Sequence, residues 1–240
     1  MPENWDRFWD AWNIRQTLEV LRTAQGSART RKMDMRIRQY LGCFEGLEVI
    51  ELGSGIGTQS LIMSLKGAQV TLVDSSKNAL DRAKEFFKKF ALSPTCCQTD
   101  IFRLPHNLFK KFDISMSFGT VEHFLQDDQR KESIKIHHRL LKDNGISFIS
   151  VPNKMSPHYR LFSFLVKKTH IAKGPLEKPF DTFELIKYAK QAGFRYCETF
   201  GSSLFEFDYL MPHVYMPVQA QIPMKFDDRY AHSLTLFAIR

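Results

Sequence analysis

The adjacent residues Glu122-His123 are the pair in this sequence best suited to proton transfer. A histidine usually titrates near neutrality, so it can take a proton from a hydroxyl or an amine, and the preceding carboxylate could orient it or hold a polar group. The pair follows the β-rich run Phe112–Gly119, which predicts a strand ending just before it. A structural interpretation stays open: Glu122 would favour a helix amino terminus, and His123 would fill a half-buried position.

A second candidate site is the loop with glycine at alternate positions, Gly53, Gly55 and Gly57, directly after the apolar run Val49–Leu52. Glycine adopts positive φ and lets the backbone approach a ligand closely, and the helix predicted from Thr58 presents unpaired N–H groups. A dinucleotide fingerprint would require glycine at position 58. The sequence therefore predicts a strand, a ligand-binding loop and a helix with a different spacing; a glycine turn without a ligand is the alternative.

Two aspartates end the next predicted strands. Asp74 lies roughly 20 residues beyond the glycine loop, where a carboxylate can accept hydrogen bonds from a ribose diol. It could also cap the helix that begins after Ser75, and the two roles are compatible. Asp100 precedes Ile101 at the end of a short run that begins at Cys96, although an aspartate is also common there as a capping residue.

The composition favours a single intracellular domain. The 240 residues contain 34 Lys and Arg against 26 Asp and Glu, a net charge of +8, which is compatible with an anionic partner but does not select a substrate. The four cysteines form no C-x-x-C pair, so we expect reduced thiols and no structural zinc. The amino terminus has no signal-peptide pattern and no segment is apolar enough to span a bilayer, so we expect a soluble, cytoplasmic protein.

Strands that alternate with helices must position these candidate residues, which predicts an α/β fold with a mostly parallel sheet. At the amino end, Trp5, Phe8, Trp9 and Trp12 share one helix face, which would either pack on the domain or cover a substrate pocket. The helix predicted over 29–44 has an apolar face and a basic face. We expect the basic residues to be solvated, with phosphate or nucleic-acid binding as the alternative: Arg29, Arg31, Lys32, Arg36 and Arg38.

With Glu51 two residues before Gly53, the glycine loop resembles the cofactor loop of class I S-adenosylmethionine-dependent methyltransferases, written E/D-x-G-x-G-x-G. The resemblance extends from about Leu47 through Val151 and more weakly to Arg240. It implies a Rossmann-like, doubly wound α/β fold with a seven-stranded, mostly parallel sheet whose last strand is antiparallel. We predict one domain, 1–240, made of these parts: N-terminal helical lid 1–44, cofactor-binding core 45–153, inserted cap 154–180, and C-terminal helix and strands 181–240.

The same resemblance implies S-adenosyl-L-methionine as the cofactor and assigns residues to it. Glu51 would orient the loop or the amino end of the cofactor, Asp74 would bind the ribose, and Asp100 with Ile101 would bind adenine. The cofactor-binding residues are therefore expected at Glu51, Gly53, Ser54, Gly55, Gly57, Asp74, Ser75, Asp100, Ile101, Phe118 and Gly119.

The pair Glu122-His123 also resembles the end of the Glu-x-x-Glu-His motif of ubiquinone-biosynthesis O-methyltransferases, in which the acids and the histidine can hold a divalent metal. Here Gly119 stands in place of the first glutamate. One carboxylate and one imidazole make a poor magnesium site, because that ion prefers several oxygen ligands. We therefore predict metal-independent activity, with His123 and Glu122 as the catalytic residues and His123 as the base or as a ligand of the acceptor.

The resemblance implies methyl transfer to an oxygen or nitrogen nucleophile, with carbon and sulfur as less favoured acceptors. The predicted fourth strand lacks the Asp/Asn-Pro-Pro-Tyr/Phe run of many exocyclic-amine methyltransferases and the Pro-Cys of cytosine C5 enzymes. We therefore expect a small-molecule acceptor and neither a nucleic-acid nor a membrane partner; the sequence predicts no oligomeric state. The alternatives are an RNA methyltransferase that uses the basic surface, and a non-catalytic cofactor-binding scaffold or partner subunit.

Overall fold

The computed structural model describes residues 5–6, 14–157, 159–161, 176–201 and 229–240. Within these ranges the chain forms helices, strands and three single 3₁₀ turns. The helices are α1 (Ile14–Gly26), α2 (Ala28–Leu41), α3 (Thr58–Ser64), α4 (Lys77–Lys88), α5 (Asp127–Leu140) and α6 (Thr182–Ala192). The strands are β1 (Glu48–Leu52), β2 (Gln69–Asp74), β3 (Thr95–Gln98), β4 (Phe112–Phe118), β5 (Leu141–Pro152), β6 (Tyr196–Gly201) and β7 (Ser233–Ile239).

The seven strands form one sheet in the order β3-β2-β1-β4-β5-β7-β6. The pairs from β3 to β5 are parallel, whereas β7 is antiparallel to both β5 and β6. This arrangement confirms the predicted α/β fold with a seven-stranded, mostly parallel sheet and an antiparallel last strand. Because β7 lies between β5 and β6, β6 forms one edge of the sheet, and β3 forms the other.

Both faces of the sheet are covered, which explains why β1, β2, β4 and β7 are buried nearly throughout. Neighbouring residues of a strand point to opposite faces, and Val49 and Ile50 of β1 accordingly pack in two different clusters. Val49 joins a cluster that includes Ile37 of α2 and Phe86 of α4, whereas Ile50 packs with Leu140 of α5. The two apolar clusters hold β1 rigidly, so the loop that follows it starts from a fixed point.

The basic face of α2 is largely packed against the protein, so the expectation that it is solvated is wrong for several residues. Lys32 is buried and its ammonium donates to the Gly201 carbonyl over 2.9 Å. Arg36 bonds to Glu198 over 2.7 Å and lies 4.3 Å from the centre of the Phe200 ring. These partners lie more than 160 positions away, so helical periodicity alone could not reveal them.

The carboxyl-terminal segment 181–240 begins with the helix that the sequence predicted. Asp181 accepts the Glu184 N–H over 2.8 Å as the amino-terminal cap of α6, and Gly193 ends the helix at φ +105°. Between Asn153 and this helix, the structure describes only parts of the predicted cap, which include a parallel bridge from Asn153 to Phe180. Phe8, Trp9 and Trp12 lie outside the described residues.

None of the helices in the described ranges has both the length and the apolar composition required to cross a bilayer.

Candidate functional site

The candidate site lies where the order of the sheet reverses. β1 pairs with β2 on one side and with β4 on the other, so the loops that follow β1 and β4 leave the same edge side by side. The Thr120 hydroxyl after β4 lies 3.2 Å from the Leu52 carbonyl oxygen and 3.3 Å from that of Gly53. A Cβ at Gly53 would lie 2.4 Å from the Thr120 Oγ1, so the contact between the two loops requires glycine there.

The glycine loop has positive φ at all three glycines: +61° at Gly53, +52° at Gly55 and +70° at Gly57. Gly57 also begins α3, and its N–H donates to the Ser54 carbonyl over 2.8 Å. A Cβ at Gly57 would lie 2.9 Å from a methyl carbon of Leu72. The need for glycine at positions 53 and 57 therefore comes partly from neighbouring protein atoms, in addition to the positive φ and the ligand approach that the sequence predicted.

Glu51 lies beneath this loop and is almost completely buried, with 4% of its surface exposed. Its Oε2 accepts hydrogen bonds from the Ser60 N–H over 3.2 Å and from the Ser60 hydroxyl over 2.5 Å. Burial raises the pKa of Glu51 from 4.5 to about 7, and the bonds from Ser60 oppose the rise only partly. Glu51 thus links β1 to the first turn of α3.

Asp74 connects the glycine loop to the start of α4. Its Oδ2 accepts the Gly55 N–H and its Oδ1 accepts the Ser76 N–H, each over 2.8 Å. Burial raises the pKa of Asp74, and these backbone bonds oppose that rise. The residue that caps α4 is Ser76, whose hydroxyl accepts the Ala79 N–H, so Asp74 is not the helix cap. Each oxygen of the Asp74 carboxylate keeps acceptor capacity beyond its backbone bond, which a ribose diol could use.

The segment that carries Asp100 and Ile101 differs from its prediction. β3 ends at Gln98, so the predicted continuation of this strand to Ile101 is wrong. Asp100 is exposed and accepts the Phe102 N–H over 2.8 Å, as the cap of a 3₁₀ turn over Ile101–Arg103. Ile101 is buried, and the Phe102 ring lies 4.8 Å from that of Phe124, which joins this segment to the loop after β4. A role of Asp100 in adenine binding stays a prediction.

Arg29 of α2 is a charged residue of this region that the sequence interpretation missed. Its guanidinium lies 5.3 Å from the centre of the half-buried Phe118 ring and donates to the Ser150 hydroxyl over 3.1 Å. Its charge also lowers the pKa of Glu51 somewhat, against the larger effect of burial. The positive charge of Arg29 therefore lies at the end of β4. The only sequence signal for this residue was that it belongs to a basic helix.

Glu122 and His123 lie in a 3₁₀ turn over Val121–His123, just past the exposed Gly119 at the end of β4. The Nδ1 of His123 is 3.1 Å from the Leu176 carbonyl oxygen, which can only accept a hydrogen bond. The proton therefore resides on Nδ1 in the neutral ring, and Nε2 keeps a lone pair. Glu122 is buried, and its carbonyl accepts the Lys178 N–H over 2.8 Å.

Two contacts of the amino-terminal residues reach this site. The Trp5 ring meets the His123 ring edge-on, with 5.1 Å between their centres. The Asp6 carboxylate accepts a hydrogen bond from the Ser76 hydroxyl over 2.5 Å. The predicted lid stays a prediction, because the other three aromatic residues assigned to it lie outside the described ranges.

The part of the predicted cap that is described adds a phenol and a carboxylate. The Tyr159 hydroxyl donates to the Glu177 carboxylate over 2.5 Å. Burial raises the pKa of Tyr159, and the negative charges of Glu177 and Glu122 add to this rise. The irregular sequence of the region gave no signal for this pair. In the described ranges, no three His, Cys, Asp or Glu residues cluster closely enough to hold a metal ion; metal independence stays a prediction.

Comparison with known proteins agrees with this geometry. Residues 49–145, which include the glycine loop, Asp74 and the pair Glu122-His123, match a family model described as a methyltransferase domain. The crystal structure of magnesium protoporphyrin IX methyltransferase from Synechocystis PCC 6803 has the same fold, with a TM-score of 0.64 at 18% identity over 98% of this chain and 92% of that one. Residues 49–145 are therefore similar in sequence to a methyltransferase domain, and the chain shares the fold of that crystal structure.

Among curated proteins, the chain is similar to the ubiquinone biosynthesis O-methyltransferase of Pelagibacter ubique, with 31% identity over 66% of this chain and 65% of that protein. The protein of the same name from Rickettsia canadensis is 24% identical over 63% of this chain and 65% of its own length. The chain thus spans just under two thirds of the length of these two relatives. The fold also occurs in a methyltransferase from Archaeoglobus fulgidus, with a TM-score of 0.60 at 17% identity over 88% of this chain and 94% of that one.

Proposed function

We propose that the protein transfers a methyl group from S-adenosylmethionine to an oxygen or nitrogen atom of a small-molecule acceptor, with His123 as the general base. The observation that carries this proposal is the hydrogen bond between His123 Nδ1 and the Leu176 carbonyl. It leaves Nε2 of His123 as the basic nitrogen, at the edge of the sheet where the glycine loop also ends.

Residues around the glycine loop would hold the cofactor. Asp74 has acceptor capacity for the ribose, while Glu51 and Arg29 offer opposite charges suited to the amino and carboxylate groups of the methionine moiety. Ile101 would pack against adenine, with Phe118 and Gly119 on the other side. Ser54 and Ser75 lie in the same two loops, and the buried Ser54 hydroxyl has no partner within the described residues. These roles are supported by position and chemistry.

When bound, S-adenosylmethionine supplies an electrophilic methyl group on its sulfonium. The protein must then align the acceptor, exclude water and remove a proton from a hydroxyl or amine. His123 would accept that proton on Nε2, and the buried Glu122 would orient the acceptor or the turn. Trp5 would shield the imidazole from solvent, in line with the proposed lid.

An oxygen acceptor is favoured because the Pelagibacter and Rickettsia relatives are both named as O-methyltransferases. The RNA alternative is weakened by the packing of Lys32 and Arg36, which removes two cations from the basic face that RNA would need. We propose a cytoplasmic location because the spacing of the four cysteines favours reduced thiols, which are typical of that compartment.

The test measures turnover with radiolabelled S-adenosylmethionine and a panel of phenols, catechols and amines. We expect His123→Ala to lower kcat by about 10²–10⁴ while the cofactor affinity stays within about twofold. His106→Ala, which alters an exposed histidine of a different 3₁₀ turn, is the control for loss of an imidazole and should leave kcat unchanged. A decrease below about threefold for His123→Ala would assign it a structural role. Activity that EDTA abolishes and magnesium restores would contradict the metal-free mechanism.

A further inference from the structure

Arg130 of α5 is a completely buried arginine, with none of its surface exposed. Its NH1 donates to the Lys178 carbonyl over 2.6 Å. Its NH2 lies 3.4 Å from the Pro179 carbonyl and 3.1 Å from a carboxylate oxygen of Glu184. A buried guanidinium is costly unless its N–H groups find acceptors, so a protein that keeps one holds those acceptors firmly in place.

Two of these acceptors belong to one short segment, Leu176–Phe180, which we call the strap. The Arg130 guanidinium also lies 3.4 Å from the centre of the Phe180 ring, so both its edge and its face contact the strap. The Phe180 N–H donates to the Pro152 carbonyl over 3.0 Å, and the Phe180 carbonyl accepts the Lys154 N–H over 2.8 Å. The carboxyl end of the strap is therefore fixed between α5 and the end of β5.

The other end of the strap touches the candidate base. The Lys178 N–H donates to the Glu122 carbonyl over 2.8 Å, and two residues earlier the Leu176 carbonyl accepts the hydrogen bond from His123 Nδ1 over 3.1 Å. A single extended segment thus connects Arg130 to the imidazole. The position of the Leu176 carbonyl decides which ring nitrogen carries the proton.

We propose that Arg130 is a positioning residue for methyl transfer. By holding the strap, it keeps the Leu176 carbonyl against Nδ1 of His123 and so keeps Nε2 unprotonated and directed away from the strap. A loosened strap would let the imidazole exchange tautomers and rotate, and part of the enzyme would then present an N–H where a base is required. This inference rests on the proposed role of His123 as the base.

The test combines kinetics with nitrogen-15 NMR of histidine-labelled protein, in which the His123 signals are assigned by their loss in His123→Asn. In the unaltered protein at a pH where the ring is neutral, we expect His123 in the Nδ1–H tautomer. In Arg130→Lys, which keeps the charge but loses the planar fork, we expect a mixture of tautomers. We also expect kcat to decrease about tenfold or more, with KM and cofactor affinity within about twofold.

Arg139→Lys is the matched control, because Arg139 lies on the same helix and pairs with Glu132 over 3.5 Å rather than with the strap. It should leave both the tautomer and kcat unchanged. If Arg130→Lys does not fold, Glu184→Gln decides, since it weakens the hold on the guanidinium at a partly exposed position. We expect Glu184→Gln to change the tautomer and kcat in the same direction but less.

Three outcomes would overturn the proposal. The first is an unchanged His123 tautomer in folded Arg130→Lys; the second, if Arg130→Lys does not fold, is an unchanged tautomer and an unchanged kcat in Glu184→Gln. The third is that Arg130→Lys lowers kcat by the same factor in the His123→Ala background as in the unaltered protein. The last result would mean that Arg130 acts by another route. If His123→Ala itself leaves kcat intact while Arg130→Lys still shifts the tautomer, the role of His123 as base fails and the structural coupling stands.

Discussion

Glu51 is expected to make cofactor binding depend on pH and to release a proton when the ligand binds. Its pKa is raised to about 7, chiefly by burial, so at pH 7 about half of the free protein carries a neutral Glu51. The amino group of the cofactor is cationic at this pH. If this group lies near Glu51 it will favour the carboxylate, and the bound complex will have lost that proton.

The magnitude follows from the fraction of ionised Glu51. If the ligand binds only the carboxylate form, the dissociation constant rises by a factor of 1 + 10^(pKa − pH), which is about 2 at pH 7 and about 11 at pH 6. The demethylated product, S-adenosylhomocysteine, is a suitable ligand because it does not react. Calorimetry in two buffers of different ionisation enthalpy should then show release of about half a proton at pH 7.

Glu51→Gln is the control, because glutamine keeps the shape and an acceptor for Ser60 but cannot ionise. The amino group of the ligand titrates equally in both proteins, so the difference between them belongs to Glu51. Equal pH dependence in the two proteins, or no proton release at pH 7, would refute the reasoning.

Three further predictions concern neighbouring residues. Gly53→Ala should lower the free energy of unfolding by about 1–3 kcal/mol, since φ is +61° and the new Cβ would overlap Thr120. In the same thermal melts, Gly46→Ala should lower this free energy less, because its φ is +72° but its Cβ would enter open space. Asp74→Ala should weaken S-adenosylhomocysteine binding by about 1.5–3 kcal/mol in calorimetry, and unchanged affinity would exclude it from the ribose site. Trp5→Ala should raise the acceptor KM or lower kcat at constant cofactor affinity, whereas a lower melting temperature with unaltered kinetics would make Trp5 a packing residue only.

The parts of the site that the sequence predicted are those encoded by local spacing. Strand, glycine loop and helix are adjacent in the chain, and Asp74 ends the next strand, so parallel pairing with β1 brings it beside the loop. The backbone N–H of Gly55 accordingly meets the Asp74 carboxylate. The fold followed from the same alternation of strands and helices.

The residues that sequence reasoning missed have their meaning in distant contacts. Arg29 was grouped with a solvated basic face, yet its partner Ser150 lies 121 positions away. Arginine is usually exposed, and the burial of Arg130 depends on carbonyls 48 and 49 positions further on. Neither periodicity nor local propensity encodes such partners, because they are fixed only when α2 packs against β5 and when the strap packs against α5.

The place of β7 in the sheet constrains the order in which the carboxyl-terminal half can assemble. Within the described residues, β6 has its strand ladder with β7 alone, although β6 comes first in the chain. β6 therefore joins the sheet only through β7, either after β7 has docked on β5 or together with it as a pair. Lys32 and Arg36 of α2 also bind Gly201 and Glu198 of β6, so this edge is joined to the amino-terminal half of the chain. This edge of the sheet therefore connects distant parts of the chain, and we infer that it forms completely only when both parts have folded.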